Sequence, residues 1–259
     1  MSERLILIES DLEYFWNAVA NDWDIQVGEH GDTNRRFNSD PVLWQFASDV
    51  SGLVVLDAGC GTGYLSRQLK QKGAVVTGVD ISEKMIVIAR SKSSDVDYIV
   101  GSCTELGSLS DKKFDMVIAN YMLMDSPDLE STLHAFNRVL KNDGIAIVIF
   151  SHPCFPQGKK FCKSDNNEIV YVWKNSYFER RQCIEPPWGH FTSDFIWFHR
   201  PLSDYWKAFK RASFYVDEFE EPRITPEHYH LAESEQQLKK HQIRPYSVAF
   251  RLVKLADIG

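Results

Sequence analysis

An acid and three alternate glycines lie close together in this 259-residue chain, at a spacing typical of a loop that binds a small ligand. Asp57 ends an apolar run, and Gly59, Gly61 and Gly63 follow it. Alternate glycines turn the chain sharply and leave its backbone bare, so that a ligand can approach where a Cβ would clash. A helix predicted over 64–69 then points its N-terminal amides at that ligand.

The GxGxG spacing separates this loop from two other nucleotide-binding motifs. The dinucleotide fingerprint is GxGxxG, whereas here the third glycine comes one residue early and Tyr64 follows it. The Asp57 carboxylate would repel a pyrophosphate and attract an ammonium or sulfonium group. A P-loop is excluded because no Lys-Ser or Lys-Thr pair follows Gly63.

Two motifs together resemble the class I S-adenosylmethionine-dependent methyltransferases. They are the loop at 57–63 and the segment 78–82, which ends a second predicted strand. The resemblance covers residues 10–150 and implies that Asp80 accepts hydrogen bonds from the two ribose hydroxyls of S-adenosylmethionine.

The resemblance also implies which other residues bind this cofactor. Asp57 orients the loop or bonds through water to the ammonium group, Ile81 packs on adenine, and Ser102 replaces a more frequent aspartate as acceptor for the adenine amine. The full implied cofactor set is Trp23, Arg35, Asp57, Gly59, Cys60, Gly61, Gly63, Asp80, Ile81, Ser102, Cys103 and Asn120.

The segment before the loop supplies two residues of that set. Residues 9–24 carry an aromatic face at helical spacing, which packs on the sheet edge or forms a lid in which Trp23 shields the sulfonium. Arg35 lies in a predicted polar turn at 31–37, before a helix that begins at Asp40. It is an exposed surface arginine or a partner of the methionyl carboxylate.

His152 and His199 are the candidate general bases. They stand at the two ends of an aromatic-rich segment that follows the fifth predicted strand, although structural roles explain most histidines equally well. The segment after Asn120 lacks the Pro-Pro-aromatic run of methyltransferases that act on planar amino groups, and it more closely resembles the small-molecule enzymes. No metal site is predicted.

Alternating strand and helix patterns predict a doubly wound, Rossmann-like α/β fold. We expect a seven-stranded, mostly parallel sheet with one antiparallel strand, helices on both faces and an aromatic-rich cap insertion. The predicted divisions are an N-terminal helical lid segment (1–50), a cofactor-binding core (51–151), a substrate cap (152–200) and a C-terminal helix with the last two strands (201–259). We expect four large side chains of the cap to provide apolar area for a substrate: Trp173, Trp188, Phe195 and Trp197.

The amino-acid composition restricts the classes of partner and the compartment that we expect for this chain. The net charge of −7 argues against nucleic acid as a partner, and the N-terminus has too short an apolar run for a signal peptide or a membrane span. Five scattered cysteines without a CxxC pair predict neither disulfides nor zinc, which favours a reduced, cytoplasmic setting. Oligomeric state is left open.

The expected function is methyl transfer to oxygen, nitrogen or carbon of a small, partly aromatic or apolar molecule. The resemblance leaves two alternatives open: a methyltransferase acting on RNA or protein, and a regulatory protein that binds the cofactor without turnover.

Overall fold

A computed structural model describes residues 9–155, 161–163, 169–171 and 175–255 of the chain. Helices and strands alternate through most of these residues. In chain order the elements are α1 (Glu9–Val27), a π-helix (Arg35–Ser39), α2 (Asp40–Ala47), β1 (Val54–Ala58), α3 (Tyr64–Gln71), β2 (Val75–Asp80), α4 (Glu83–Lys92), β3 (Asp97–Val100), β4 (Phe114–Asn120), α5 (Leu129–Val139), β5 (Leu140–Ser151), β6 (Phe161–Lys163), β7 (Ile169–Tyr171), β8 (Arg181–Glu185), β9 (Phe195–His199), α6 (Leu202–Arg211), β10 (Phe214–Glu220), a 3-10 helix (Pro226–Leu231), α7 (Glu235–Ile243) and β11 (Ser247–Lys254).

The main sheet has the strand order β10, β11, β5, β4, β1, β2, β3. The central strand β1 is apolar on both faces, and Val55, Leu56 and Ala58 are fully buried, as expected for a parallel strand covered by helices on both sides. Only β11 runs against its neighbours, because it pairs antiparallel with both β5 and β10. The predicted seven-stranded sheet with one antiparallel strand is confirmed.

Side chains that alternate along β5 divide the core into two layers. Val148 and Phe150 pack with residues of α5 and α6, whereas Ile147 and Ile149 pack with residues of α2, α3 and α4. Successive residues of a strand point to opposite faces, so one strand serves both layers. The helices therefore cover both faces, as predicted.

The segment 152–200 contributes no strand to the main sheet. Within its described part, β6 pairs with β7 and β8 pairs with β9 as separate antiparallel hairpins. Helix α1 packs against α4 and β9. Trp173 lies outside the described residues, and the division into lid, core, cap and C-terminal part stays a prediction.

The predicted turn at 31–37 is wrong in its second half, because the chain is helical from Thr33 onward. Asp32 starts this helical segment by accepting a hydrogen bond from the Arg35 amide at 2.9 Å. Helix α2 does begin at Asp40, but the Asp40 carboxylate does not cap it. That carboxylate is buried and accepts a hydrogen bond from the Tyr64 hydroxyl at 3.0 Å.

Among the described helices, none combines the length and the apolar character that crossing a bilayer requires.

Candidate functional site

A cavity opens where β1, β2, β3 and β4 end at one edge of the sheet. Ligands of open α/β sheets bind at this edge, outside the carboxyl ends of the strands. The wall combines strand ends, helix α1 and the segment that follows β4. Its residues are Leu12, Trp16, Trp23, Gly59, Gly61, Asp80, Ile81, Met85, Ser102, Cys103, Thr104, Asn120, Tyr121, Met122, Asp125, Ser126 and Pro127.

Two glycines of the loop after β1 line this cavity. Gly59 and Gly61 have φ values of +72° and +53°, which residues with a Cβ rarely adopt. A Cβ on Gly59 would overlap the side chain of Met122, and a Cβ on Gly61 would lie 2.9 Å from Nε1 of Trp23. The glycines therefore let the loop pack closely under its own protein cover, as well as leaving backbone exposed to a ligand.

Three residues of the predicted cofactor set within the 57–63 segment are buried and do not line the cavity: Asp57, Cys60 and Gly63. The Asp57 carboxylate accepts a hydrogen bond from Ser66 Oγ at 2.5 Å, which ties the end of β1 to helix α3. Burial raises the pKa of Asp57 to about 7, although the Ser66 hydrogen bond opposes the shift. Burial also raises the pKa of the Cys60 thiol. These positions support the shape of the loop.

Asp80 connects the end of β2 to the glycine loop. Its Oδ2 accepts a hydrogen bond from the Gly61 amide at 2.8 Å, and its Oδ1 accepts one from the Ser82 amide at 2.9 Å. Burial raises the pKa of Asp80, while both amide bonds oppose that shift. Asp80 and its neighbour Ile81 both line the cavity, where the sequence places them.

Ser102 and Cys103 line the cavity at the end of β3, as the sequence predicts. The Ser102 hydroxyl lies 2.8 Å from the Thr104 hydroxyl and accepts a hydrogen bond from the Thr104 amide at 3.2 Å. A small hydrogen-bonding group thus occupies the wall where related motifs carry an acid.

Asn120 presents an unused acceptor at the end of β4. Its Nδ2 donates a hydrogen bond to the Tyr64 hydroxyl at 3.1 Å, and that hydroxyl donates to Asp40. Among the described residues, its buried Oδ1 has no hydrogen-bond partner. A buried carbonyl oxygen without a donor is costly, so this atom is suited to receive an N–H group from a ligand.

Tyr121, which sequence reasoning missed, holds a strained backbone in the cavity wall. Its φ is +59°, a genuine outlier for a bulky residue, and such outliers concentrate at functional sites. Its hydroxyl accepts a hydrogen bond from Asn34 Nδ2 at 2.5 Å and pairs with the hydroxyl of Ser247. These contacts fix the direction in which the chain leaves β4.

Trp23 lines the cavity, but Arg35 does not. The Arg35 guanidinium is buried behind the wall, 5.0 Å from the ring centre of Trp23 and 4.9 Å from that of Tyr121. Its Nη1 donates to Asp32 at 2.6 Å. Arg35 therefore supports the aromatic wall from outside the cavity, and its guanidinium does not face the space that a ligand would occupy.

Neither His152 nor His199 lines the cavity. His152 Nε2 lies 2.9 Å from Glu221 Oε1, and its Nδ1 accepts the Cys154 amide at 3.1 Å. His199 Nε2 donates to the carbonyl of Tyr177 at 2.8 Å. Burial lowers the pKa of both imidazoles. A position at the end of the cap does not by itself place a side chain in the cavity. The chemical roles of His152 and His199 stay predictions, and the contacts of these side chains do not favour them.

The cap meets the cavity wall through backbone and aromatic contacts. The Phe198 amide donates to the Met124 carbonyl at 2.7 Å, which joins β9 to the segment after β4. The Phe191 ring stacks on Trp23, with centroids 6.0 Å apart, and the Thr192 hydroxyl donates to Asp22 of α1 at 2.7 Å.

Within the described part of the chain, no three His, Cys, Asp or Glu side chains come together in a way that could hold a metal ion. The lining fits S-adenosylmethionine instead. Trp16, Trp23 and Ile81 suit a flat purine, the Asp80 carboxylate suits a pair of ribose hydroxyls, and the Asn120 Oδ1 suits an ammonium group. This sheet order with an acid at the end of β2 defines the class I S-adenosylmethionine-dependent methyltransferase fold.

Comparisons with known proteins agree with that class. Residues 56–148 match the family described as "Methyltransferase domain", and this match supports a class I S-adenosylmethionine-dependent methyltransferase. S-Adenosylmethionine is the cofactor of this domain.

Two curated relatives are similar over this region. The chain is 32% identical over 142 residues to the ubiquinone biosynthesis O-methyltransferase of Hydrogenovibrio crunogenus, a match that covers 52% of this chain and 57% of that protein. It is 37% identical over 109 residues to the malonyl-[acyl-carrier protein] O-methyltransferase of Hamiltonella defensa, with 42% and 41% covered. The chain thus spans about half the length of the curated relatives it matches.

The fold is shared more widely. The crystal structure of an S-adenosylmethionine-dependent methyltransferase from Mesorhizobium loti superposes with a TM-score of 0.70 at 20% identity. The superposition covers 83% of this chain and 96% of that one.

Proposed function

We propose that the chain transfers the methyl group of S-adenosylmethionine to a small, partly apolar or aromatic molecule. The observation that carries this proposal is the cavity at the strand ends, in which Asp80 braces the glycine loop and an aromatic cap packs against the outer wall. The relative named for ubiquinone biosynthesis supports a small, partly apolar acceptor.

In this proposal the cofactor lies across the strand ends. Asp80 accepts hydrogen bonds from the ribose hydroxyls, and Ile81 packs on adenine beside Ser102. Asn120 Oδ1 accepts a hydrogen bond from the ammonium group. Trp23 covers the site and excludes water, held in place by the guanidinium of Arg35 and by the stacked ring of Phe191.

The chemistry asked of the protein is mainly alignment. S-Adenosylmethionine supplies a methyl group on a sulfonium centre that is already activated as a leaving group. The cavity must hold an oxygen, nitrogen or carbon nucleophile in line with the C–S bond and keep water away, and such positioning contributes several kcal/mol to a reaction barrier.

The cap is proposed to select the acceptor. Trp188, Phe191 and Phe195 form a cluster of rings, with Trp188 and Phe191 centroids 5.1 Å apart. Rigid aromatic area of this kind binds apolar molecules with little loss of conformational entropy. The divisions 1–50, 51–151, 152–200 and 201–259 follow from this assignment as lid, core, cap and closing elements. A cytoplasmic location stays a prediction from the cysteine pattern.

The test is transfer of label from radioactive S-adenosylmethionine to separate pools of metabolites, RNA and protein. Label in the metabolite pool that depends on Asp80 is the expected result. Label confined to RNA or protein would replace the proposed acceptor class, and binding without transfer to any pool would indicate a regulatory protein.

A further inference from the structure

Asp125 puts a second carboxylate into the cavity wall, five residues after the end of β4. The sequence points to this segment only for its apolar residues. The backbone holds it firmly, because the Asp125 amide donates to the Met122 carbonyl at 2.8 Å. The next residue is fixed as well, since Arg200 Nη2 donates to the Ser126 carbonyl at 2.6 Å.

The Asp125 carboxylate differs from that of Asp80 in having no hydrogen-bond donor. Asp80 accepts two backbone amides, whereas no described residue donates a hydrogen bond to the Asp125 side chain. A largely buried carboxylate without donors favours its neutral form unless a positive charge comes close. Burial accordingly raises the pKa of Asp125 well above its ordinary value.

The charged and titratable groups around Asp125 come from four elements. Asp80 at the end of β2 adds to the rise in its pKa, while Arg200 after β9 and Arg35 in the π-helix oppose it. Tyr205 of α6 also lies within electrostatic range. Arg200 Nη2 donates to main-chain carbonyls and Arg35 Nη1 donates to Asp32, while the buried Arg200 Nη1 and Arg35 Nε have no partner among the described residues. Neither arginine donates to the Asp125 carboxylate. The carboxylate is left for a ligand.

The proposed cofactor placement, on which this inference rests, brings the sulfonium to this carboxylate. Sulfur lies between the ribose and the amino acid part of S-adenosylmethionine. With the ribose on Asp80 and the ammonium on Asn120, the sulfur falls beside Gly59. There the side chain of Met122, three residues before Asp125, covers the glycine loop.

We propose that Asp125 is ionised opposite the sulfonium, and that it takes up the acceptor's proton once the methyl group has been transferred. The lone pair of an acceptor O–H or N–H group forms the new bond to the methyl carbon. The C–S bond breaks, its electron pair stays on sulfur, and the proton of the acceptor moves to Oδ of Asp125. Before the reaction the negative carboxylate faces the positive sulfonium, and after it both the carboxyl group and the sulfur are neutral. The charges on Asp125 and sulfur therefore sum to zero on both sides of the reaction.

This assignment narrows the substrate class to acceptors that carry an O–H or N–H proton. A carboxylate acceptor has no proton to release and would be repelled by Asp125. The assignment also has a consequence that needs no acceptor. The complex with the neutral product, S-adenosylhomocysteine, must hold one proton more than the complex with S-adenosylmethionine, within the pH range in which Asp125 titrates in the product complex.

Isothermal titration calorimetry measures this difference directly. Each compound is titrated into the full chain between pH 5.5 and 7.0 in buffers of different ionisation enthalpy, which yields the number of protons taken up or released on binding. Both ligands keep a charged α-ammonium group in this range, since α-amino groups titrate near 7.7–8.0. Asp40 and Asp57 also titrate near this range, but they lie outside the cavity lining and face both ligands alike.

The expected result is that S-adenosylmethionine binding releases up to about one proton more than S-adenosylhomocysteine binding. Asp125→Asn and Asp125→Ser should abolish the difference, whereas Asp143→Asn, the same change at an exposed position of β5, should retain it. Equal proton counts for the two ligands in the wild-type protein would overturn the inference, as would an unchanged difference in the Asp125 variants. Failure of both ligands to bind the wild-type protein would instead overturn the proposed function.

Discussion

Asp80 Oδ2 and the Gly61 amide lie 2.8 Å apart, so the acid that ends β2 fixes the loop that follows β1. The bond joins the two motifs by which the chain resembles a methyltransferase. Its second oxygen holds the Ser82 amide at the start of α4. One side chain thus sets the spacing of the loop, the strand end and the next helix around the cavity.

Replacing Asp80 by Ala should weaken S-adenosylmethionine binding by about 2–3 kcal/mol, because two ribose hydroxyls lose a charged acceptor. Calorimetric titration of the folded variant measures this loss. Asp97→Ala, at the exposed start of β3, is the control and should bind normally. Normal affinity in a folded Asp80→Ala protein would place the ribose elsewhere.

Replacing Gly61 by Ala should destabilise the protein by about 1–2 kcal/mol, because a left-handed backbone is costly for any residue with a Cβ. The new methyl group would also push on the Trp23 indole, so tryptophan fluorescence should change with the loss of stability. Urea unfolding checks the first effect. Gly107→Ala should change neither quantity, since an added Cβ there meets nothing within 4 Å. Equal stability of the two variants would show that the loop tolerates a side chain.

Asp57 should make the protein less stable as the pH rises. Its pKa is about 7 in the folded chain and 3.8 ordinarily, so the folded state binds the proton more tightly and loses stability as the carboxyl ionises between these values. Asp57→Asn removes this group. The free energy of unfolding of the variant, relative to wild type, should therefore increase by about 2–3 kcal/mol between pH 5 and pH 8. Urea unfolding at several pH values measures it, and a pH-independent difference would contradict the buried, ionisable Asp57.

Trp188→Ala should raise the KM of the acceptor that the labelling screen identifies by about tenfold or more, because truncating a ring in a binding pocket costs 1–3 kcal/mol. Affinity for S-adenosylhomocysteine should stay within about threefold, since Trp188 does not line the cofactor cavity. Phe178→Ala is a matched control, because that ring is 80% exposed. An unchanged KM in Trp188→Ala would remove the cap from acceptor binding.

The sheet and the strand-end positions of Gly59, Asp80 and Asn120 could be predicted because strand and helix patterns are local and parallel strands end at one edge. Placement of side chains between distant segments could not. His152 and His199 stand at the ends of the cap, yet Glu221 and the Tyr177 carbonyl engage them away from the cavity.

Two residues of the cavity wall gave no signal in the sequence. Tyr121 is distinguished only by its positive φ, and a positive φ cannot be recognised from the sequence when the residue is not glycine. Asp125 lies in an apolar run. Its lack of hydrogen-bond donors depends on tertiary contacts, in which Arg200 donates to the Ser126 carbonyl and Arg35 donates to Asp32.

Calorimetric titration of the full chain with S-adenosylmethionine, S-adenosylhomocysteine and NADH tests most directly which ligand the cavity binds. We expect saturable heat with the first two compounds, weaker binding of both in Asp80→Ala, and no heat with NADH. Binding of NADH with no heat from either S-adenosyl compound would contradict this expectation.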